Sequence, residues 1–467
     1  RAKITGFTSA TVVAATVQDD FDNTNAVTTW KLGAFSDTTG HPSAVSFFEQ
    51  RLVFAGTTAE PQTLYFSKSG DYENMTTGTN ADDAMVYTIA SNQVNKIRYL
   101  KAVRTLIVGT TGGEFTVSAD GTDAAITPTN IVIKKQSSYG TANVDAQPAG
   151  SSILFLQKAK RKIRELTYNF DVDGYVAPDL TILNDIVTKS GINEMAYQQE
   201  PDSILWCVRD DGVFVGLTYQ RAENVVAGHQ HKLGGTFGAG ASATGYGVVE
   251  SVATISGELT EDELYVIVKR TINGATKRYV ECFAPFDFDE TTSTDFKFLD
   301  SHLIYSGSST TTLSGLDHLE GQTVSILADG STHATKVVSS GSITLDRSVT
   351  SAVVGLSYDS VLQTMRVEGG AAEGTSQGKT KRISKVVLRL FETVGAKVGP
   401  SLTSLETIPF RTTSSNLSAP VDTLLAGDKE VEFRDDYNTD GFIFVKQDQP
   451  LPLTVLAIYP TIVTSDG

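Results

Sequence analysis

The chain has 467 residues, too many for one ordinary hydrophobic core, so several domains or one large repetitive domain are expected. Its formal net charge of -16 and pI of about 4.9 argue against a protein that grips nucleic acid, which needs basic patches to neutralise phosphates. No apolar run reaches the roughly 18 residues of a membrane span, no signal peptide is visible, and the chain opens at Arg1 rather than Met, which suggests that an N-terminal part is missing or removed. The two cysteines, Cys207 and Cys282, each lie in an apolar strand-like run. They read as buried, unpaired thiols rather than a disulfide or zinc framework. Forty glycines, abundant Thr, Ser and Val, and few stretches of 3.6-residue period indicate an all-β fold with many turns.

In chain order, residues 1–41 read as an N-terminal strand, Ala10 to Val17, and a polar linker in which Trp30 and Phe35 are candidate anchors. Val45 to Phe48 and Arg51 to Ala55 are strands joined by Glu49-Gln50. Thr63 to Ser67, Met85 to Ala90, Lys96 to Leu100, Thr105 to Gly109 and Gly113 to Ser118 continue at short, even spacing. Four short strands per roughly 40 to 50 residues is the spacing of propeller blades. No strict repeat motif accompanies it, and residues 42–298 are assigned to a β-propeller.

Ile131 to Lys135, Ser152 to Gln157 and Lys162 to Tyr168 extend the pattern. Lys158, Lys160, Arg161, Lys162 and Arg164 form one basic cluster. It is either a phosphate contact or, as we read it, a solvated hairpin tip. Asp171-Val172-Asp173-Gly174 resembles the start of a calcium loop, but Leu180 stands where the bidentate Glu should be, which excludes one. A short helix is predicted near Leu180 to Val187.

The most informative stretch is Ser203 to Gln220. Two β-favouring apolar runs flank Arg209-Asp210-Asp211-Gly212, and Asp-Gly in that setting is a strong hairpin signal because Gly accepts φ > 0. Both runs are apolar on both faces, so the hairpin should be deeply buried. Ala222 to Gly247 follows as a Gly-rich loop with His229 and His231. A His-x-His pair ligates a metal only if both rings share one face of a strand. With no third ligand at ligand spacing, surface or interface histidines are the expectation. Val248 to Ile255, Glu263 to Lys269 and Lys277 to Phe283 return to strands, with Asn273-Gly274 as a turn.

After Phe286-Asp287-Phe288 the composition shifts. Residues 299–366 read as a small inserted β-barrel or sandwich, 367–380 as a mobile Gly-rich loop, and 381–467 as C-terminal strands returning to the propeller to cover its edges. The fold class is therefore all-β: an irregular β-propeller with an inserted small β-barrel/sandwich domain.

Motifs of catalysis are absent: no Gly-x-Ser-x-Gly elbow, P-loop, dinucleotide fingerprint or His-Glu-x-x-His. The adjacent carboxylates Asp210-Asp211, Glu261-Asp262 and Asp435-Asp436 read as turn formers and solubilising charges. We assign no catalytic, cofactor-binding or metal residue.

The succession His41-Pro42, Phe47 to Leu52, Ala55-Gly56, Pro61-Gln62-Thr63 and Ser67 to Tyr72 resembles the tail tubular protein B, or tail nozzle protein, of T7-like short-tailed bacteriophages. Trp206 to His231, Val249 to Phe283 and Leu316 to Gly330 resemble later blocks of that family, and the likeness spans about Ile4 to Leu390. One departure is Gly228, where a bulky aromatic is expected before the His-x-His pair. The resemblance implies a homo-hexameric ring at the distal end of the tail tube, below the adaptor ring. Such a ring bears fibres or other host-binding proteins and conducts phage DNA without binding it specifically. An acidic lumen suits that passage. The loops Ala222 to Gly247 and Glu368 to Thr380 are then candidate gate or docking segments. The rival expectations are a propeller-type polysaccharide hydrolase and a receptor-binding module of the tail.

Overall fold

A computed structural model describes residues 2–17, 23, 25–26, 34–91, 94–121, 124–257, 261–285, 296–369, 374–410 and 424–465. Trp30, Phe286-Asp287-Phe288 and residues 370–373 of the Gly-rich loop lie outside these. The fold is all-β: among the described residues most strands lie in antiparallel sheets of three or four strands, and up to residue 282 each sheet is built from consecutive strands. The chain divides into two compact units: Arg1–Leu100 with Ser118–Ile133, and Lys101–Val117 with Lys134–Gly467.

In the first unit, Ala2–Ser9 pairs with Val12–Val17 as a two-stranded hairpin, so the N-terminal strand has a partner that the sequence did not advertise. Ala44–Phe48, Arg51–Ala55, Thr63–Phe66 and Met85–Thr88 form a four-stranded meander. Glu49 and Gln50 both take positive φ (45° and 60°), the geometry of a two-residue hairpin turn. Phe35 packs edge-on against Phe54 and Tyr65, as an anchor should. Arg51 is buried and donates to the carbonyls of Ser67, Ala81 and Asp83 at 2.7–2.8 Å, tying the irregular segment 67–84 to the sheet.

In the second unit, Leu106–Thr110 pairs with residues 113–117 of the strand Gly113–Ala119 as a hairpin closed at Thr110 and Gly113. Gln147–Ala149, Ser152–Leu156, Ile163–Asn169 and Gly174–Val176 make one four-stranded sheet. Ile192–Gln198, Ile204–Arg209, Phe214–Gln220 and Val225–His231 make the next, followed by the three-stranded sheet Val248–Ser256, Asp262–Ile272 and Ala275–Cys282. The Asp-Gly hairpin sits between two cores. One face carries Leu205, Cys207, Val215 and Leu217 against Leu154, Leu156 and Ile163. The other carries Trp206, Val208 and Phe214 against Val249, Val252, Leu264 and Val266. Strand residues alternate faces, so a run apolar at every position must be covered on both sides.

Two sequence expectations are corrected in this region. Residues 180–187 form successive turns and no helix: Asn184 N bonds Thr181 O and Val187 N bonds Asn184 O, both three residues back. Asp179 Oδ1 accepts from the backbone and hydroxyl of Thr181, and such short side chains compete with helical hydrogen bonding. Ile182, Leu183 and Ile186 are exposed, so no apolar stripe is buried to stabilise a helix. The supposed loop 222–247 contains the strand Val225–His231, in register with Phe214–Gln220 over seven pairs. Asn224, at φ 56°, makes the turn into it.

Beyond residue 299, Asp300–Ser314, Ser342–Leu356, Thr323–Ala328 and Ser331–Val337 form a four-stranded sheet in that spatial order. It has its own core of Leu313, Leu316, Leu319, Val324, Ile326, Val349 and Val354. Ser360–Gln363 leaves this sheet to pair with Phe444–Gln447. Among the described residues, the strands after residue 380 pair with one another and with Ser360–Gln363. Thr380–Thr393 lies between Leu425–Glu432 and Thr454–Ser465, while Phe444–Gln447 pairs with Lys397–Ser401, beside Ser404–Thr407. Ile383, Val386, Leu388 and Leu390 meet Val398, Ile408, Phe433, Ile443 and Val445 in one core, and Val394 and Leu451 pack in a second with Phe296, Leu299, Leu327 and Val353.

Candidate functional site

The features that carry chemistry gather around the four-stranded sheet of residues 192–231 and the three-stranded sheet of residues 248–282. On the Asp-Gly hairpin, Trp206 stacks on Phe214 (centroids 4.9 Å, 5° between planes) and donates from Nε1 to Gln198 Oε1 at 2.8 Å. His229 and His231, two residues apart on one strand, project to the same face and lie 5.7 and 5.3 Å from the Trp206 ring. His229 Nδ1 and His231 Nε2 are 2.7 Å apart. The pair is half-buried. Burial holds both imidazoles below their ordinary range, and His231, which also feels His229, is pushed down to about 3. Both are therefore neutral at pH 7.

Gly228 lies close to the turn segment that precedes the hairpin. Asn184 and Val187 of the turn segment pack against this position, and a Cβ would meet Asn184 Nδ2 at 2.6 Å and Val187 Cγ2 at 3.3 Å. Any side chain there requires Asn184 and Val187 to shift.

A second cluster was not visible in the sequence. Arg270 is wholly buried in the three-stranded sheet. Its Nε donates to Gly234 O at 2.7 Å and its terminal nitrogens donate to both oxygens of Glu281, at 2.5 and 3.1 Å. Asp300 accepts from Gly234 N at 2.6 Å. Burial raises the Asp300 carboxyl to about 6, and raises the Tyr358 phenol as well. The Gly234-Gly235 pair lets the backbone pass close to Arg270: a Cβ on Gly235 would stand 2.9 Å from Arg270 Cδ. No motif marks this cluster. Its one sequence signal is an Arg in a strand whose same-face neighbours, Val268 and Ile272, are apolar.

A shallow cleft of about 340 Å³ lies among Gln147, Tyr197, Glu200, Thr254, Ser256 and Asp262. Asp262 Oδ2 accepts from the backbone N–H groups of Gln199 and Glu200 at 2.8 and 3.1 Å, so this carboxylate fastens a turn. The other carboxylates singled out from the sequence act locally. Asp211 pairs with Arg209, and the Arg209 guanidinium helps hold it below the ordinary carboxylate range against burial. Asp435 accepts from Asn438 Nδ2 at 2.9 Å, and burial raises its carboxyl. The basic cluster disperses over a hairpin tip. Lys162 pairs with Asp179 at 2.7 Å, Lys160 reaches Asn193 at 2.7 Å, and Arg164 donates to Gln157 and lies over the Tyr139 ring.

Cys207 is buried and free, and burial pushes its thiol up; Cys282 is exposed rather than buried. Strand Ala275–Cys282 is at the end of its sheet and mostly exposed, so its apolar pattern does not report a core. At the Gly-rich segment, Gly369 N donates to Ser376 Oγ and Ser376 N to Glu368 Oε1, at 2.9 and 2.6 Å, which closes the base of that loop. Among the described residues no three His, Cys, Asp or Glu side chains converge, and no helix is long and apolar enough to cross a membrane.

The hairpin Ala2–Val17 differs from every other sheet. Nearly all of its residues are exposed, Phe7 by 78%, with Ile4, Val12, Val13 and Val17 also open to solvent. Among the described residues it pairs with no further strand.

No family model matches the chain, and no curated protein matches it. Among solved structures it is similar to an auxiliary nutrient binding protein from Bacteroides thetaiotaomicron, at 12% identity and TM-score 0.28, over 52% of this chain and 57% of that one. A luciferin-regenerating enzyme is similar at 11% identity and TM-score 0.21, over 49% of this chain and 83% of that one. The chain thus spans little more than half the length of the nutrient-binding protein.

Proposed function

We propose that this chain is a structural subunit of a bacteriophage tail, the nozzle at the distal end of the tail tube, acting as a homo-oligomeric ring rather than as an enzyme. The observation that carries the assembly part of this reading is the N-terminal hairpin. A two-stranded hairpin is marginally stable alone in water, and this one exposes apolar side chains along both strands, with Lys3 the single charged residue between Ala2 and Val17. Such a surface belongs against another chain. The phage part rests on the sequence blocks His41 to Tyr72, Trp206 to His231 and Val249 to Phe283.

In this reading the ring forms through heterologous contacts between identical chains. The strongly acidic composition keeps DNA mobile in the channel, because like charges repel and no phosphate is neutralised. Adaptor-ring proteins lie above, and fibres or host-binding proteins attach to the outside. The hydrolase alternative finds little support in the cleft at Glu200 and Asp262, where Asp262 is committed to backbone donors.

Immunogold labelling of intact particles tests the proposal. Label at the distal tail tube is expected. Label on fibres or spikes, or an unlabelled particle whose lysate contains the protein, overturns it.

A further inference from the structure

The His229–His231 pair meets the condition that the sequence could only pose: both rings stand on one face of one strand. Their facing nitrogens, His229 Nδ1 and His231 Nε2, converge to 2.7 Å with the ring planes 82° apart. The space they occupy is prepared. Gly216, in the interior of the neighbouring strand, lies across from His229. A Cβ there would fall 2.1–2.8 Å from three atoms of the imidazole. Glycine inside a strand is unfavourable, and it often marks a place where something must approach closely. Trp206 and Phe214 wall the rings on the inner side. The strand Val225–His231 is at the end of its sheet, so the outer side is not closed by a further strand of that sheet.

We propose that His229 and His231 form a two-ligand site for one divalent transition-metal ion that favours imidazole nitrogen, the Zn²⁺, Ni²⁺ or Cu²⁺ class. Tetrahedral Zn²⁺ sits about 2.0–2.1 Å from each histidine nitrogen, which sets the two nitrogens roughly 3.3 Å apart. The observed 2.7 Å is that of a shared N–H···N bond, so binding needs the rings to part by about 0.6 Å, a small side-chain rotation. His229 ligates through Nδ1 and carries its proton on Nε2, which faces Thr218 Oγ1 at 3.5 Å. That hydroxyl is placed as an outer partner toward which the Nε2 proton of a ligating histidine can turn. His231 ligates through Nε2. The proton of the former N–H···N bond leaves one ring nitrogen and the other nitrogen of that ring takes one up from solvent, so both imidazoles stay neutral. No third His, Cys or carboxylate joins them among the described residues, and the remaining positions are left to water or to a group from outside the chain. The site is independent of the nozzle reading.

The test uses the whole chain with Zn²⁺ as the probe. Calorimetric titration is expected to show one ion per chain, and the H229Q/H231Q double variant is expected to lose that event. Zinc X-ray absorption on the unmodified protein is expected to show two imidazole scatterers, a readout that does not depend on any variant folding. An oxygen-only shell, a single imidazole, or a one-to-one event that survives in a folded H229Q/H231Q variant overturns the proposal.

Discussion

Replacing Arg270 with alanine removes one partner of a buried ion pair and leaves Glu281 facing a cavity. The guanidinium makes three hydrogen bonds, one to Gly234 O and two to the Glu281 carboxylate. Breaking a buried pair from one side costs about 3–5 kcal/mol. The Glu281 side chain keeps 16% of its surface exposed, so solvent relieves part of the loss and the lower end, about 3 kcal/mol, applies. At about 1.4 kcal/mol per factor of ten, that is on the order of a 100-fold rise in local opening. Amide hydrogen exchange is the suitable assay, because a chain with several separate cores does not unfold as one two-state unit. The informative amides are Thr271 N, bonded to Thr236 O at 2.8 Å, and Gly234 N, bonded to Asp300. The double variant Arg270→Met/Glu281→Leu should recover most of the protection, since an apolar pair of similar volume often replaces a buried ion pair at little cost. A change of under threefold in Arg270→Ala, or a double variant as exposed as the single one, would refute the reasoning.

Two further outcomes follow from the same region. Gly212 and Gly274 both sit in left-handed turns, at φ 78° and 73°, but a Cβ on Gly212 would meet Val248 Cγ1 at 2.4 Å while Gly274 has nothing within 4 Å. Gly274→Ala should cost about 1 kcal/mol from backbone conformation alone, and Gly212→Ala about 1–3 kcal/mol more from overpacking; urea midpoints followed by tryptophan fluorescence would count against this if the two variants shifted equally. Asp300 gives a pH signature. Its folded-state value is raised to about 6 from 3.8 by burial, so between these values the folded chain holds a proton that the unfolded chain has released, and stability falls as pH rises through that window. Asp300→Asn, whose amide oxygen can still accept from Gly234 N, should gain on the wild type from pH 4 to 6 and level off above; a difference in apparent melting temperature that stays constant from pH 4 to 7 would show that Asp300 titrates normally.

Of the site, the sequence held the two histidines, the Asp-Gly turn and the apolar runs beside them. It could not say that Val225–His231 is a strand, because Gly228 and the exposed Val225 and Val226 blur its alternation. The placement of Gly228 is decided by Asn184 and Val187, some forty residues earlier in the chain. Arg270, Glu281 and Asp300 are ordinary charged residues in a strand-rich sequence until Gly234 is brought between them. The exposure of Cys282 likewise depends on which strand ends the sheet.

What the sequence determined by itself is local. Period-2 alternation, β-branched runs and Asn-Gly, Asp-Gly or Glu-Gln turns depend on backbone sterics within a few residues, and they placed most strands between residues 44 and 282 within a residue or two. What only tertiary structure decided is nonlocal. The segment 180–187 carries apolar residues at spacing that would suit a helix, yet it becomes turns because Asp179 and Thr181 take its first hydrogen bonds and no neighbour covers Ile182, Leu183 and Ile186. The C-terminal strands read like any others, and only their shared core around Ile383, Val386 and Leu388 turns them toward one another. Burial and partner choice depend on residues far apart in the chain, and pattern along the chain carries no record of which surfaces meet.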